Sequence, residues 1–238
     1  MTKIKNIKDI NDYNEILNSG SSVTNNEEFE KNGYLVIKNL YDPKDLFSEI
    51  PKEKHGSIRY ITKNDYHYSP EECQVQGCIS RYNYPPYKYP HSQIRIKLEK
   101  IIGKDLFNTY YFDRFYYAGQ ELKRHTDRDS CEISVTVHVS SNTTKCWPIW
   151  IKTPDTYNED KTEIIEFGEQ RSICLNPGDG LVYKGCERPH WRTPLKSRYN
   201  IFQRSLMKLL KKEDDTYYHQ VFFHYVLSDG SRCTFAGD

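Results

Sequence analysis

Hydrophobic and polar positions change rhythm several times along the 238-residue chain. Residues 1 to about 24 have no apolar period. Lys, Asn, Asp and Ile mix there with Ser19-Gly20-Ser21-Ser22, which reads as a polar leader with one short helix at most, then a linker. Glu27 to Leu40 (EEFEKNGYLVIKNL) predicts an acidic helix start, a stop at Gly33 and a strand over Tyr34 to Ile37. Pro43 to about Pro51 suggests a second short helix. Lys54 to Pro90 is rich in Tyr, Pro, His and Cys with weak periodicity, as expected of irregular structure with short strands folded over a site. His91 to Ile102 (HSQIRIKLEKII) has apolar residues at helical spacing and runs into Gly103, a C-cap signal.

Beyond Gly103 the period falls to two. Asn108 to Tyr117 is an aromatic-rich strand candidate. In Cys131 to Ser140, Ile133, Val135, Val137 and Val139 alternate with Glu132, Ser134, Thr136 and His138. If the Val/Ile row packs on helices, the polar row faces the inside of a barrel. Trp147 to Ile151, Thr162 to Phe167 and Arg171 to Leu175 follow as strands. A Pro177-Gly178-Asp179-Gly180 turn leads into Leu181 to Tyr183. Tyr199 to Leu206 and Tyr218 to Val226 complete the strand expectations. Many short strands joined by turn residues favour a mainly β sandwich or barrel over alternating βαβ units. The expected organisation is a leader over 1–26 and a single domain over 27–238.

Composition narrows the function classes. Lys and Arg number 34 against 33 Asp and Glu, so the formal net charge is +1 and no nucleic-acid partner is expected. No apolar run approaches the roughly 20 residues of a membrane span, and the first twenty residues lack an apolar secretory core. Twenty tyrosines within 14% aromatic residues supply bulk for a core. Seven cysteines (Cys73, Cys78, Cys131, Cys146, Cys174, Cys186, Cys233) include no C-x-x-C pair. They are expected to be reduced thiols of a cytoplasmic protein.

The candidate chemistry lies in His125-Thr126-Asp127, at a strand entrance, with His190 following 63 residues later. On extended backbone, positions i and i+2 point to the same side, so His125 and Asp127 can grip one metal ion. Two imidazoles and a carboxylate on one face of an ion leave the opposite positions open, which suits ferrous iron that must bind a co-substrate and dioxygen together. On residue types alone, a surface turn and a packing histidine remain the competing reading.

The chain resembles the iron(II)/2-oxoglutarate-dependent oxygenases, nearest their prolyl-4-hydroxylase-like branch. The resemblance rests on Phe29 to Ile37 (FEKNGYLVI), Arg114 to Gly119 (RFYYAG), His125 to Arg128 (HTDR) and Cys131 to Thr136 (CEISVT). Trp147-Pro148-Ile149 and the LNPGDGLVYKG…HW stretch from Leu175 to Trp191 extend it. It spans roughly residues 27 to 226 and includes every metal position. It implies a double-stranded β-helix (jelly roll) with N-terminal flanking helices. It also implies Fe(II) on His125, Asp127 and His190, with 2-oxoglutarate and dioxygen as co-substrates. The implied reaction releases succinate and carbon dioxide while a C–H bond of an amino acid, peptidyl residue or small metabolite is hydroxylated or otherwise oxidised.

The family needs a cation for the far carboxylate of 2-oxoglutarate, and an arginine fork suits it. Arg198 lies eight residues after His190, the offset most of the family uses. Arg192 lies two residues after it, on the same face of one strand and about 6 to 7 Å along. The 23 residues from Thr193 to Asp215 separate this region from the last strand, so the longer offset can fall in an insertion; Arg192 is the slightly favoured anchor. Tyr116 matches the position whose hydroxyl reaches 2-oxoglutarate. Arg114 shares its strand face and is a candidate for co-substrate or substrate carboxylate. His138 is a candidate for the 2-oxoglutarate tail, and Arg128 for fixing Asp127 or meeting substrate. His55, His67, His91, His219 and His224 are expected to be structural, and Lys208 to Lys212 a solvated basic face. The rival functions are a cupin-like metalloenzyme without 2-oxoglutarate and a non-catalytic jelly-roll binding module. The prime substrate and the oligomeric state are left open.

Overall fold

The computed structural model describes residues 27–53, 55–72 and 74–238; the expected polar leader at 1–26 lies outside them. The first elements are α1 (Glu27–Asn32), β1 (Tyr34–Ile37), α2 (Pro43–Leu46), β2 (Gly56–Tyr60), β3 (Tyr66–Ser69) and β4 (Ile79–Tyr82). Next come α3 (Lys88–Ile102), β5 (Leu106–Tyr117), β6 (Leu122–His125), β7 (Ile133–Ser141) and β8 (Ile149–Lys152). A short β9 (Thr156–Tyr157) and β10 (Ile164–Glu166) precede β11 (Gln170–Ile173), β12 (Gly180–Lys184) and β13 (His190–Arg192). The chain then forms α4 (Ile201–Leu209) and β14 (Tyr217–Leu227).

Eight strands form a large sheet in the order β1-β12-β7-β14-β5-β4-β2-β3, and four form a small one in the order β11-β8-β13-β6. The large sheet is antiparallel except where β2 runs parallel to β4. This is the expected jelly roll: helices cover one face of the large sheet, and the small sheet closes the other.

The two faces follow from period-2 alternation. Ile133, Val135, Val137 and Val139 of β7 are buried in one cluster with Ile94, Leu98, Ile101 and Ile102 of α3 and with Val221, Phe223 and Tyr225 of β14. The Val/Ile row therefore packs on the helical layer, each such side chain contributing about 1.5–3 kcal/mol by leaving water. Helix α3 presents Ile94, Leu98, Ile101 and Ile102 at i, i+4, i+7 and i+8, a one-sided stripe. It starts earlier than the apolar pattern, with Pro90 tolerated in its first turn. It ends at Gly103, whose φ of +67° carries the left-handed cap and whose N–H donates to the Glu99 carbonyl at 3.0 Å.

A buried ion cluster locks β4, β5 and β14 on the helical side. Arg81 grips Asp113 with Nε at 3.0 Å and with Nη2, and His219 Nε2 and the Tyr87 hydroxyl approach Asp113 Oδ2 at 2.8 and 3.1 Å. Burial alone would raise the Asp113 pKa; the Arg81 charge and the His219 and Arg81 hydrogen bonds hold it down at about 2.

Two expectations are corrected. Tyr199 to Leu206 belongs to no strand; most of it is α4. Asn200 caps this helix, accepting from the Gln203 N–H at 2.9 Å while the Gln203 side chain accepts from the Asn200 N–H at 2.9 Å. That reciprocal box supplies helix-start chemistry which outweighs the strand preference of Tyr199, Ile201 and Phe202. The cysteines are not all reduced: Cys146 and Cys174 form a disulfide with Cα atoms 5.8 Å apart, and Cys78 is disulfide-bonded as well. The antiparallel pairing of β8 with β11, Ile149 opposite Ile173, brings Cys146 and Cys174 together across 28 residues of sequence. Cys131, Cys186 and Cys233 are free. The disulfides remove the thiol argument for a reducing compartment. No helix among the described residues is long and apolar enough to cross a membrane.

Candidate active site

Strand β6 ends at His125 and β13 begins at His190, and their antiparallel register places these two residues opposite each other, rings 4.3 Å apart. The chain then turns, and the Asp127 N–H donates to the Gly185 carbonyl at 2.9 Å. A Cβ at Gly185 would sit only 2.6 Å from Asp127 Oδ2 and inside the Cys131 carbonyl, so this turn needs glycine for close approach.

The donor atoms of His125, Asp127 and His190 lie within 4.8 Å of one another. Each imidazole is tethered through Nδ1 to a carbonyl two residues earlier, His125 to Lys123 at 2.8 Å and His190 to Arg188 at 3.0 Å. With Nδ1 donating, each Nε2 faces Asp127 Oδ1, at 3.5 and 3.6 Å, and the Tyr183 hydroxyl also lies 3.4 Å from His190 Nε2. The other Asp127 oxygen accepts from the Ser134 hydroxyl at 2.7 Å, and Ser134 also meets His224 Nδ1 at 3.0 Å. Burial pushes the Asp127 pKa up, but the His125 bond and the neighbouring histidines hold it well below the usual carboxylate range. Burial lowers the His190 pKa, against the pull of Asp127. Burial also lowers that of His125, but the Asp127 and Lys123 hydrogen bonds outweigh it and leave the value raised. Two imidazole nitrogens, each able to present its Nε2 lone pair to a metal in place of a proton, and an ionised oxygen on one side of a common point fit a divalent transition metal.

Asp127, Cys131 and His224 form a second group with equally close donor atoms. Burial and the nearby Asp127 charge push the Cys131 thiol up to about 12, and its sulfur lies 3.2 Å from the Tyr110 hydroxyl. Two imidazoles and a carboxylate are the donor set that suits ferrous iron, so the His125 group is the better match to that metal.

Two residues along β13 from His190, Arg192 is 1% exposed. Its guanidinium lies 4.5 Å from the Trp147 ring centre and 4.9 Å from that of Tyr218, and Nη1 donates to the Trp147 carbonyl. Nε and Nη2 have no partner. His138, from the polar row of β7, stacks on Tyr218 with ring centres 4.1 Å apart. Its Nδ1 meets the Leu175 carbonyl at 2.8 Å, and its Nε2 is buried and unpaired. Burial lowers the His138 pKa to about 4, so this ring is neutral near pH 7. Tyr116 closes the group edge-on to Trp147, its hydroxyl accepting from Arg114 Nη1 at 3.2 Å. Unpaired N–H groups on a buried cation are costly. This cage fits a carboxylate that brings two acceptor oxygens.

Arg198 is elsewhere. Strand β13 stops at Arg192, and Arg198 lies before α4, 39% exposed, its Nε 3.8 Å from Asp215 Oδ1 and its guanidinium over the Tyr199 ring. An eight-residue offset counted through a loop does not return to the same face.

Outside the His125 group opens a cavity of about 430 Å³. The irregular 54–90 stretch contributes Arg59, Gln74, Tyr82 and Asn83 to its wall, as expected of a segment folded over a site. Arg114 and Arg128 line it, and so does His224. His224 was expected to be structural; the structure instead puts it beside Ser134 and Asp127. In YYHQVFFHYVL, polar and apolar residues share both faces, so the period does not say which face looks inward.

No family model matches the chain, and no curated protein matches it. Solved structures do. A prolyl hydroxylase from Trichoplax adhaerens, in complex with a hypoxia inducible factor oxygen degradation domain peptide fragment, is 13% identical with a TM-score of 0.50, over 95% of this chain and 93% of that one. The non-heme alpha ketoglutarate dependent epimerase SnoN from nogalamycin biosynthesis is 9% identical with a TM-score of 0.51, over 84% and 80%. A prolyl-4-hydroxylase from Pseudomonas putida is 12% identical with a TM-score of 0.46, over 83% and 95%. The fold is the one shared by the first two, the prolyl hydroxylase and the alpha ketoglutarate dependent epimerase.

Proposed function

We propose that this protein is an Fe(II)- and 2-oxoglutarate-dependent dioxygenase that hydroxylates, or otherwise oxidises, a C–H bond of an amino acid, peptidyl residue or small metabolite. The observation that carries the reading is a juxtaposition on one strand. His190 belongs to a three-donor cluster that fits a metal, and Arg192, two residues on, is a buried cation with unpaired donors. A binding module has no use for the first, and a metalloenzyme without 2-oxoglutarate has no use for the second.

In this reading His125, Asp127 and His190 hold iron, with Ser134 orienting Asp127 and the backbone carbonyls fixing both imidazole tautomers. Arg192 pairs with the far carboxylate of 2-oxoglutarate, and His138 and Tyr116 line its path. Dioxygen is the oxidant and 2-oxoglutarate the sacrificial two-electron reductant, which iron, when bound, would bring together for C–H chemistry, and the protein supplies position. Trp147, Tyr218 and Tyr116 exclude water around Arg192, which strengthens its pairing with a carboxylate.

Anaerobic titration with Fe(II), followed by equilibrium dialysis against labelled 2-oxoglutarate, tests the reading. One iron and one 2-oxoglutarate per chain are expected, with both lost in Asp127→Ala at an unchanged melting temperature or nearly so. Stoichiometric iron in Asp127→Ala, or no 2-oxoglutarate binding by the iron-loaded parent, overturns it.

A further inference from the structure

The outer cavity contains a charge that the metal and co-substrate reading does not use. Arg114 is 1% exposed and faces this cavity from the middle of β5. Its Nε donates to Ser80 Oγ at 3.0 Å, Nη1 to Tyr116 Oη at 3.2 Å and Nη2 to Gln74 Oε1 at 3.0 Å. Every one of these acceptors is neutral. Among the described residues no carboxylate lies within ion-pair distance of it. Asp113, its neighbour on the strand, points to the opposite face and belongs to Arg81 and His219. A guanidinium buried without a counter-charge is destabilising unless an anion completes it. Arg59 and Arg128 add positive charge at the cavity wall; the wall's acidic members are Asp127, within the metal group, and Asp238, paired to Arg128 at 3.0 Å.

Beside Arg114 the wall is a stack of rings. Tyr82 and Phe112 lie 4.9 Å apart at 21°, Phe112 and Phe222 4.5 Å apart at 12°, and Tyr110 and His224 4.6 Å apart at 29°. Such a wall offers flat apolar area with one imidazole ring in it. The volume of about 430 Å³ lies in the range of small-molecule sites.

We infer that the molecule oxidised here is a small carboxylic acid with a flat or apolar body, its carboxylate paired with Arg114 and its body laid on the Tyr82–Phe112–Phe222 wall. The inference rests on the metal and co-substrate reading above for placing the oxidised carbon beside His125 and Asp127. A carboxylate fits because the three neutral bonds use three of the five N–H donors of the guanidinium, and two donors match two oxygens. Arg192 and Arg114 then divide two anions between them, the co-substrate inside and the substrate outside.

The test is calorimetric binding of matched pairs: phenylacetate with phenylacetamide, N-acetylphenylalanine with its amide, and phenyl phosphate beside them. Binding is measured to the parent, Arg114→Gln and Arg114→Lys, each with and without Mn(II) and 2-oxoglutarate. At least one acid is expected to bind the parent tenfold or more tightly than its amide. That preference should fall to about twofold or less in Arg114→Gln and recover in part in Arg114→Lys, while the Kd for 2-oxoglutarate stays within about threefold. Equal binding of acids and amides by the parent, no binding of any acid, or a preference retained in Arg114→Gln overturns the inference. Tighter binding of phenyl phosphate than of every acid overturns the carboxylate assignment. A tenfold or larger loss of 2-oxoglutarate affinity in Arg114→Gln moves Arg114 to the co-substrate site and also overturns it. The parent comparison decides alone if Arg114→Gln does not fold. Loss of Mn(II) and 2-oxoglutarate binding by the parent, with acid preference intact in the metal-free protein, removes the oxygenase reading and leaves the Arg114 site standing.

Discussion

Arg192 and Arg198 are six positions apart and sit in opposite physical worlds. Arg192 is inside the jelly roll, held between Trp147 and Tyr218 with donors unpaired. Arg198 opens a segment whose helix α4 leaves Ile201, Phe202, Leu206 and Leu209 all more than half exposed. The interior is over-determined: sheet register, stacked rings and buried polar groups each restrict the others. The α4 segment is held locally, by its Asn200–Gln203 cap and by hydrogen bonds such as Arg198 N–H to the Thr216 hydroxyl at 3.0 Å. Losing a partner matters differently in the two places, because a lone surface ion pair is worth about 0–1 kcal/mol, whereas a buried charge left without its partner costs several.

The sharpest way to break this contrast is to place one charge in each region. Val137→Asp buries an unpaired carboxylate in the core that β7 shares with the helical layer and is expected to cost at least about 4 kcal/mol, enough to unfold the domain. Phe202→Asp on α4 is expected to shift stability by less than about 0.5 kcal/mol. Urea denaturation of both variants checks this, and a parent-like midpoint for Val137→Asp would refute the packing of β7 on the helices.

Next in size is the co-substrate. Arg192→Ala should raise the Kd for 2-oxoglutarate by about two to three orders of magnitude, from roughly 3–5 kcal/mol lost when a desolvated carboxylate loses its partner. Fe(II) stoichiometry should stay at one, since Arg192 is not among the metal donors. Dialysis with labelled 2-oxoglutarate gives the answer directly.

The interior should also titrate where the surface does not. His91 is buried between α3 and β14, its Nε2 on the His224 carbonyl at 3.0 Å, and burial lowers its pKa to about 4. A depressed folded value means that the unfolded chain binds the proton first. The stability this neutral ring protects is present above about pH 6.5 and is lost as pH falls toward about 4, up to about 3 kcal/mol. His91→Gln should flatten that part of the stability–pH curve in urea titrations of the metal-free protein; an unchanged slope between pH 6.5 and 4 would rule out His91 as its source.

The smallest effect is expected at Arg198. Arg198→Ala should change the Kd for 2-oxoglutarate by no more than about twofold, because its partner Asp215 is itself exposed. A large change there with a small one at Arg192 would reverse the comparison.

Much of this molecule was legible in its residues. The Ile133–Val139 row announced a strand with one apolar and one polar face, because side-chain alternation is a property of the backbone; that the apolar face meets the helices came from the packing. Gly103 announced the end of α3 because only a left-handed residue closes that turn. His125 and Asp127 announced a shared face by the same alternation, and the likeness to known motifs added His190. What remained undecided depended on which strands become neighbours. That Arg192 is buried on the strand of His190 and Arg198 is not depended on where β13 stops, and the Cys146–Cys174 bridge needed the pairing of β8 with β11. The place of His224 needed the inward face of a strand with no polar–apolar alternation to reveal it. Helix α4 in place of a strand was written locally in Asn200 and Gln203, yet its residues favour strands one by one. Sequence determines local periodicity and caps because those interactions span a few residues; it leaves the pairing of distant strands, and with it the assembly of the site, to the balance of buried surface and satisfied hydrogen bonds in the whole fold.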